Sequence, residues 1–130
     1  MKQKILYISA FCFYIAALLY LCLAKPDDLP QPEIYFFGLP IDKVVHFCMF
    51  LPFPVLMHLV FCDKAKGMWR ELLILIASIA LGACVALGTE YLQSLTQYRS
   101  ADILDFYADM KGMSVGCLAV LLHIIFRKRN

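Results

Sequence analysis

Four long runs of apolar residues, separated by short polar segments, dominate the pattern along the chain. They predict helices over about residues 4–24, 43–62, 71–95 and 102–126. Each run approaches the roughly 20 residues that a helix needs to cross a bilayer. Backbone groups in lipid must be hydrogen-bonded internally, so helices are the expected spanning form. The predicted fold class is therefore all-α: one four-helix transmembrane bundle that occupies residues 1–130 as a single domain.

Proline residues modify this pattern in two places. Residues 25–41 contain four prolines and therefore cannot form one helix. The aromatic run Tyr35–Phe37 within them suits a membrane interface. Pro52 and Pro54 lie near the middle of the second apolar run, where they predict a kink. The first run follows two lysines as a signal peptide would, but its greater length favours a retained transmembrane helix.

Composition narrows the class of protein further. Hydrophobic residues make up 62% of the 130 residues and charged residues 17%, against about 25% charged in soluble domains. A small soluble domain could not bury this much apolar surface, so a soluble enzyme, a disordered tail and a nucleic-acid-binding protein are excluded. Six cysteines occur without any CxxC spacing, which favours small apolar packing residues. A disulfide between Cys22 and Cys48 is the minor alternative.

The placement of charge predicts an orientation. One set of helix ends carries eight basic and two acidic residues, a net charge of +6. The other set carries four basic and eight acidic residues, a net charge of −4. Basic residues favour the cytoplasmic side, so both termini are expected in the cytoplasm and the acidic ends outside. We expect a multi-pass protein of the cell membrane, in bacteria the inner membrane.

Helical geometry groups the unusual polar residues into stripes. At 100° per residue, one stripe on the fourth helix spans an arc of about 80°; it comprises Asp102, Asp105, Asp109, Gly112 and Gly116. A second stripe on the third helix comprises Gly82, Ala86, Glu90, Gln93 and Gln97. Small residues let transmembrane helices approach closely, so these two faces are expected to meet.

Such a meeting predicts an outward-facing polar pocket near the membrane surface. Asp42 and His46 share a face of the second helix and are expected to join it. An ionised residue costs about 2.5–3.5 kcal/mol at a helix centre, so Glu90 needs a partner. The candidate partners are Lys43, His46, Arg99 and Lys111. The candidate ligand-binding residues are Asp42, Lys43, His46, Glu90, Gln93, Arg99, Asp102, Asp105 and Asp109.

Simpler interpretations remain open for several of these residues. Asp42 and Asp102 are each suited to cap the start of a helix. The carboxylates at 105 and 109 and the arginine at 99 are compatible with ordinary solvated charges. His58 and His123 are interpreted as structural because no acidic residue lies near them in the sequence.

The order and spacing of these residues resemble the VanZ-like family. The matching elements are Asp42-Lys43-x-x-His46-Phe47, Glu90-x-x-Gln93, Arg99-Ser100, Asp102, Asp105, Gly112 and Gly116. Asp109 departs from the pattern, since the family usually has asparagine there. The resemblance implies a bacterial membrane protein of the cell envelope and a link to low-level resistance against the glycopeptide antibiotic teicoplanin.

Three functions are compatible with these features. The first is a binding module for an amphiphile or a lipid headgroup, in which Lys43, His46 and Arg99 contact an anionic group. The second is a membrane-embedded enzyme acting on a lipid-linked substrate, with Glu90 or His46 as the catalytic acid or base. A metal-dependent form would use His46, Glu90 and Asp105 or Asp109, but nearby basic residues argue against it. The third is a purely structural cluster.

The expected partners follow from these alternatives. We expect a membrane lipid or amphiphile as the partner, with no nucleic acid, no cofactor and no bound metal. The oligomeric state is not predicted.

Cysteine labelling tests the predicted orientation. Phe36→Cys and Ser100→Cys, each in a background without the six native cysteines, are expected to react with a membrane-impermeant maleimide added to intact cells. Ala65→Cys, between the second and third apolar runs, serves as the matched control that reacts only after lysis. Labelling of positions 36 and 100 only from inside would overturn the orientation.

Overall fold

The computed structural model describes residues 2–24, 35–36, 38–62, 67–96 and 102–129. Within these residues, five α-helices follow one another: α1 (Lys2–Leu23), α2 (Ile41–Phe50), α3 (Pro52–Phe61), α4 (Met68–Ser94) and α5 (Ile103–Arg129). α2 and α3 form one span, so the described part of the chain has four helices long and apolar enough to cross a membrane. The prediction of an all-α, four-helix bundle is confirmed.

The second span is interrupted at its prolines. Leu51 lies between α2 and α3 with φ −58° and ψ −43°, so the backbone remains helical through the junction. Pro52 and Pro54 have no N–H to donate to the carbonyl groups four residues earlier. The span is therefore divided into two 10-residue helices at the prolines, while the kink itself stays a prediction.

A short hairpin precedes the second span. β1 (Tyr35–Phe36) and β2 (Leu39–Pro40) pair antiparallel, with Tyr35 opposite Pro40. Gly38 in the connection has φ 78°, a left-handed conformation that glycine adopts without steric cost. The expected all-α fold did not include this hairpin, which leads directly into α2.

Apolar side chains divide between an interior core and the outer surface. The core around Leu18, Phe50, Phe53 and Met113 joins α1, α2, α3 and α5. Many other large apolar side chains are exposed on all spans, as lipid contact requires. No disulfide forms among the six cysteines: Cys22 is buried while Cys48 is exposed.

Two glycines bring α5 against α2. A Cβ atom on Gly112 would lie 2.1 Å from the carbonyl oxygen of Phe47, and one on Gly116 would lie 2.2 Å from that of Leu51. The prediction that this face of α5 meets the stripe on α4 therefore fails at the two glycines, although Glu90 of α4 does contact the backbone N–H of Asp102 at the polar end. Gly82 of α4 instead packs against the side chain of Met113. Periodicity identified the close-packed face of α5 correctly but assigned it the wrong neighbour.

Replacing Gly112 is expected to destabilise the bundle. In Gly112→Ala the added methyl group meets a backbone carbonyl, which cannot move without shifting a helix, so a loss of about 1–3 kcal/mol is expected. Gly88→Ala is the matched control, because a Cβ there meets nothing within 4 Å. Thermal unfolding in detergent, followed by circular dichroism, measures both. Equal melting temperatures for the two variants would contradict the close packing of α2 and α5.

Candidate functional site

Polar side chains gather where the starts of α2 and α5 and the end of α4 lie together. We call this group the acidic cluster; it comprises Asp42, Lys43, His46, Glu90, Asp102, Asp105 and Asp109. α2 supplies the lysine and the histidine, while α5 supplies three of the carboxylates. The close packing at Gly112 sets the distance between these two helices.

Lys43 lies at the centre of the more exposed half of the acidic cluster. Its Nζ donates hydrogen bonds to Asp102 Oδ2 and Asp105 Oδ1. Asp42 Oδ2 lies 3.1 Å from the same nitrogen. Three carboxylates therefore share one ammonium group, whose three donors are all engaged.

His46 lies at the centre of the buried half. Its Nδ1 forms a 2.9 Å hydrogen bond with Oδ1 of Asp109, a side chain that is fully buried. Its Nε2 is 3.7 Å from Asp105 Oδ2. A carboxylate that holds one ring nitrogen fixes the orientation of the imidazole and leaves the other nitrogen for a proton or a ligand.

Glu90 connects α4 to the same group. Its Oε2 accepts a hydrogen bond of 2.9 Å from the backbone N–H of Asp102. Glu90 Oε1 and Asp109 Oδ2 are both buried and have no hydrogen-bond partner among the described residues. One donor atom each from His46, Glu90 and Asp109 lies within 4.8 Å of the others, a spacing that a divalent cation can bridge.

Gln93 and Arg99 were also predicted as site residues, and neither is among the described members of the acidic cluster. Gln93 is buried, and its Nε2 donates a 2.7 Å hydrogen bond to the carbonyl oxygen of Cys22, which ties α4 to the end of α1. This contact is structural and lies outside the acidic cluster. Arg99 lies outside the described residues, as does Ser100.

Helix ends explain part of the negative charge. Asp102 Oδ1 accepts the backbone N–H of Leu104 at 2.9 Å, the arrangement of an N-cap at the start of α5. Asp42 and Asp105 lie in the first turns of α2 and α5, where the helix dipole favours anions. The hydrogen bond from Lys43, followed by that from Leu104, lowers the pKa of Asp102 below its ordinary value. This carboxylate is therefore ionised at neutral pH.

A second group of polar residues lies at the opposite end of the bundle. Glu71 is buried and is bonded through Oε1 to Arg127 Nη2, while its Oε2 lies 3.8 Å from His58 Nε2. The expectation that His58 has no acid nearby is therefore wrong. The sequence analysis counted Glu71 and Arg127 only among the charges at the helix ends, because they belong to different helices and only the packing of α4 with α5 joins them.

Comparisons with known proteins agree with the fold. A family model described as VanZ/LLP1 matches residues 11–127. An uncharacterized protein of the fission yeast Schizosaccharomyces pombe is 36% identical over 89 residues, which are 68% of this chain. The matched residues make up 50% of that relative, so the chain spans about half of its length. No solved structure matches.

Removing the central lysine is expected to destabilise the acidic cluster. Lys43→Met leaves Asp102 and Asp105 without their shared cation, and a loss of about 2–3 kcal/mol is expected for this partly exposed group. Lys111→Met, an exposed position on α5, is the matched control and should change stability by less than about 0.5 kcal/mol. Thermal unfolding in detergent compares the two variants. A Lys43→Met variant as stable as the control would contradict the assigned ion pairs.

Proposed function

The chain belongs to the VanZ-like family of membrane proteins, and we propose that its acidic cluster binds the primary ammonium group of an amphiphile at the membrane surface. The observation that carries the proposal is the pair of buried carboxylate oxygens, Glu90 Oε1 and Asp109 Oδ2, without partners among the described residues. A buried polar atom without a hydrogen bond costs about 1–3 kcal/mol. An N–H donor from a ligand would remove that cost.

The sign of the charge favours a cationic group. The described residues of the acidic cluster include five carboxylates but one lysine, and that lysine is already bonded to Asp42, Asp102 and Asp105. The sequence-based hypothesis that Lys43 contacts an anionic headgroup therefore has little support from these contacts. An ammonium ion, in contrast, meets carboxylates and can donate up to three hydrogen bonds.

The surroundings favour an amphiphile as the molecule that carries this group. Ile103, Leu104 and Tyr107 begin α5 next to the acidic cluster, and all three are exposed. A hydrocarbon chain lying on this apolar surface would place its headgroup near Asp102. Phosphatidylethanolamine, which combines acyl chains with a primary ammonium group, is the probe that fits this description.

Lipid competition tests the proposal. Native mass spectrometry measures the lipids bound to purified protein from an equimolar mixture of phosphatidylethanolamine, phosphatidylcholine and phosphatidylglycerol with identical acyl chains. We expect phosphatidylethanolamine to be enriched roughly tenfold, which corresponds to a difference of about 1.4 kcal/mol in binding free energy. The reason is that the quaternary ammonium of phosphatidylcholine has no N–H donor. Glu90→Gln combined with Asp109→Asn is expected to remove this enrichment.

The controls separate binding from folding and from metal binding. Asp63→Asn changes an acid that follows α3 in the sequence and is not a member of the acidic cluster, so it should retain the enrichment. Melting temperatures identify variants that fail to fold. Equal binding of the three lipids, or a preference for phosphatidylglycerol, would contradict the proposal. Enrichment that disappears with EDTA and returns with Mg²⁺ would instead assign the cluster to a divalent cation.

An acid–base enzyme is the second candidate function. The hydrogen bond between Asp109 and His46 Nδ1 favours it, since this arrangement leaves Nε2 as a base in a buried setting, with Glu90 as a nearby acid. The bound lipid distinguishes the two functions. Release of phosphatidylethanolamine with unchanged mass supports binding alone, whereas a shifted mass that Asp109→Asn abolishes supports catalysis. A role in teicoplanin resistance rests on the family resemblance alone.

A further inference from the structure

The polar group at the opposite end of the bundle also has the features of a ligand site. We call it the His58–Glu71 cluster; it comprises His58, Cys62, Glu71 and Arg127. His58 and Cys62 are four residues apart at the end of α3, so their side chains share one face. Glu71 comes from the first turn of α4, and Arg127 from the end of α5.

Three of these residues offer metal-ligand atoms at a suitable spacing. A nitrogen of His58, the sulfur of Cys62 and a carboxylate oxygen of Glu71 all lie within 4.8 Å of one another. His58 Nε2 and Glu71 Oε2 are 3.8 Å apart. Zinc binds these atom types at about 2.0–2.3 Å, which places two ligands of a tetrahedral ion roughly 3.4 Å apart. A small inward movement of the side chains is enough to complete three bonds.

The unused hydrogen-bonding capacity points the same way. Glu71 is 1% exposed, and its Oε2 has no hydrogen-bond partner in the described part of the chain. Its other oxygen is bonded to Arg127, which orients the carboxylate without occupying Oε2. Residues that hydrogen-bond to a metal ligand and fix its orientation are typical of metal sites. An ion pair between Glu71 and Arg127 does not by itself explain why the second, buried carboxylate oxygen of Glu71 faces His58.

Two of these residues face a cleft that is open to the outside of the bundle. His58, Cys62 and Arg127 line an open cleft of about 470 Å³, together with Tyr7 and His123. Three protein ligands leave one position of a tetrahedral zinc ion for water or another small ligand, and a cleft allows that ligand to enter.

We propose that His58, Cys62 and Glu71 bind one Zn²⁺ ion at this end of the bundle. A mixed nitrogen, sulfur and oxygen set suits zinc better than the hard ions Mg²⁺ and Ca²⁺, which prefer oxygen ligands alone. The site is separate from the acidic cluster, so the sequence-based expectation of a protein without metal is revised here.

Cobalt substitution tests the site directly. Co²⁺ added to the metal-free protein in detergent is expected to produce a thiolate-to-cobalt charge-transfer band, which Zn²⁺ then removes by displacement. The band should be lost in Cys62→Ser, and the affinity for Zn²⁺ should fall at least roughly tenfold in His58→Ala. Cys84→Ser, an exposed cysteine of α4, is the matched control and should leave the band unchanged.

Two further comparisons make the result decisive. Asp109→Asn alters the acidic cluster and should leave the band intact, which distinguishes the two ends of the bundle. If Glu71→Gln folds less well than the native chain, the charge-transfer band of Cys62→Ser is the decisive measurement. Cys62→Ser changes one atom at a partly exposed position. No charge-transfer band in the native chain, or a band that survives in Cys62→Ser, would overturn the proposal.

Discussion

Gly112 and Gly116 allow α5 to lie directly against the carbonyl oxygens of Phe47 and Leu51, and the acidic cluster depends on this contact. At this distance, Lys43 reaches Asp102 and Asp105, while His46 reaches Asp109 one turn further along. The partners on α2 and α5 advance together along their helices, so both helices run in the same direction. A methyl group at 112 would separate every one of these pairs.

Parallel neighbours also explain why the cluster is acidic. Two helices that begin at the same end place their positive dipole ends side by side, and nearby carboxylates offset the resulting positive potential. Asp42, Asp102 and Asp105 occupy those first turns. Asp109 lies deeper, beyond the first turn of α5, and Glu90 lies near the end of α4, so the positive dipole ends account for them less well. For this reason the proposed ligand is placed at Glu90 and Asp109.

The sequence predicts the helices and the polar face of α5, because both follow from the spacing of residue types along one element. It does not predict which helix that face meets, since small residues mark α4, whereas α2 contains no glycine, alanine, serine or threonine and meets the glycines of α5 with its backbone. Gln93 illustrates the same limit: its polarity marked it for a site, but its partner is a carbonyl group of Cys22 on α1. The sequence also did not group His58, Glu71 and Arg127, because each of them belongs to a different helix and only the packing of the helices brings them together.

The arrangement has a consequence for the order in which the chain enters a membrane during synthesis. α2 carries Lys43 and His46, yet the carboxylates of Asp105 and Asp109 that contact them belong to α5, which is synthesised later. Until α5 arrives, Lys43 has Asp42 as its carboxylate partner within α2 and His46 lacks Asp109. The same span also contains two prolines, so its residence in lipid is correspondingly unfavourable. We therefore expect stable integration of the second span to be completed only when α5 packs against it.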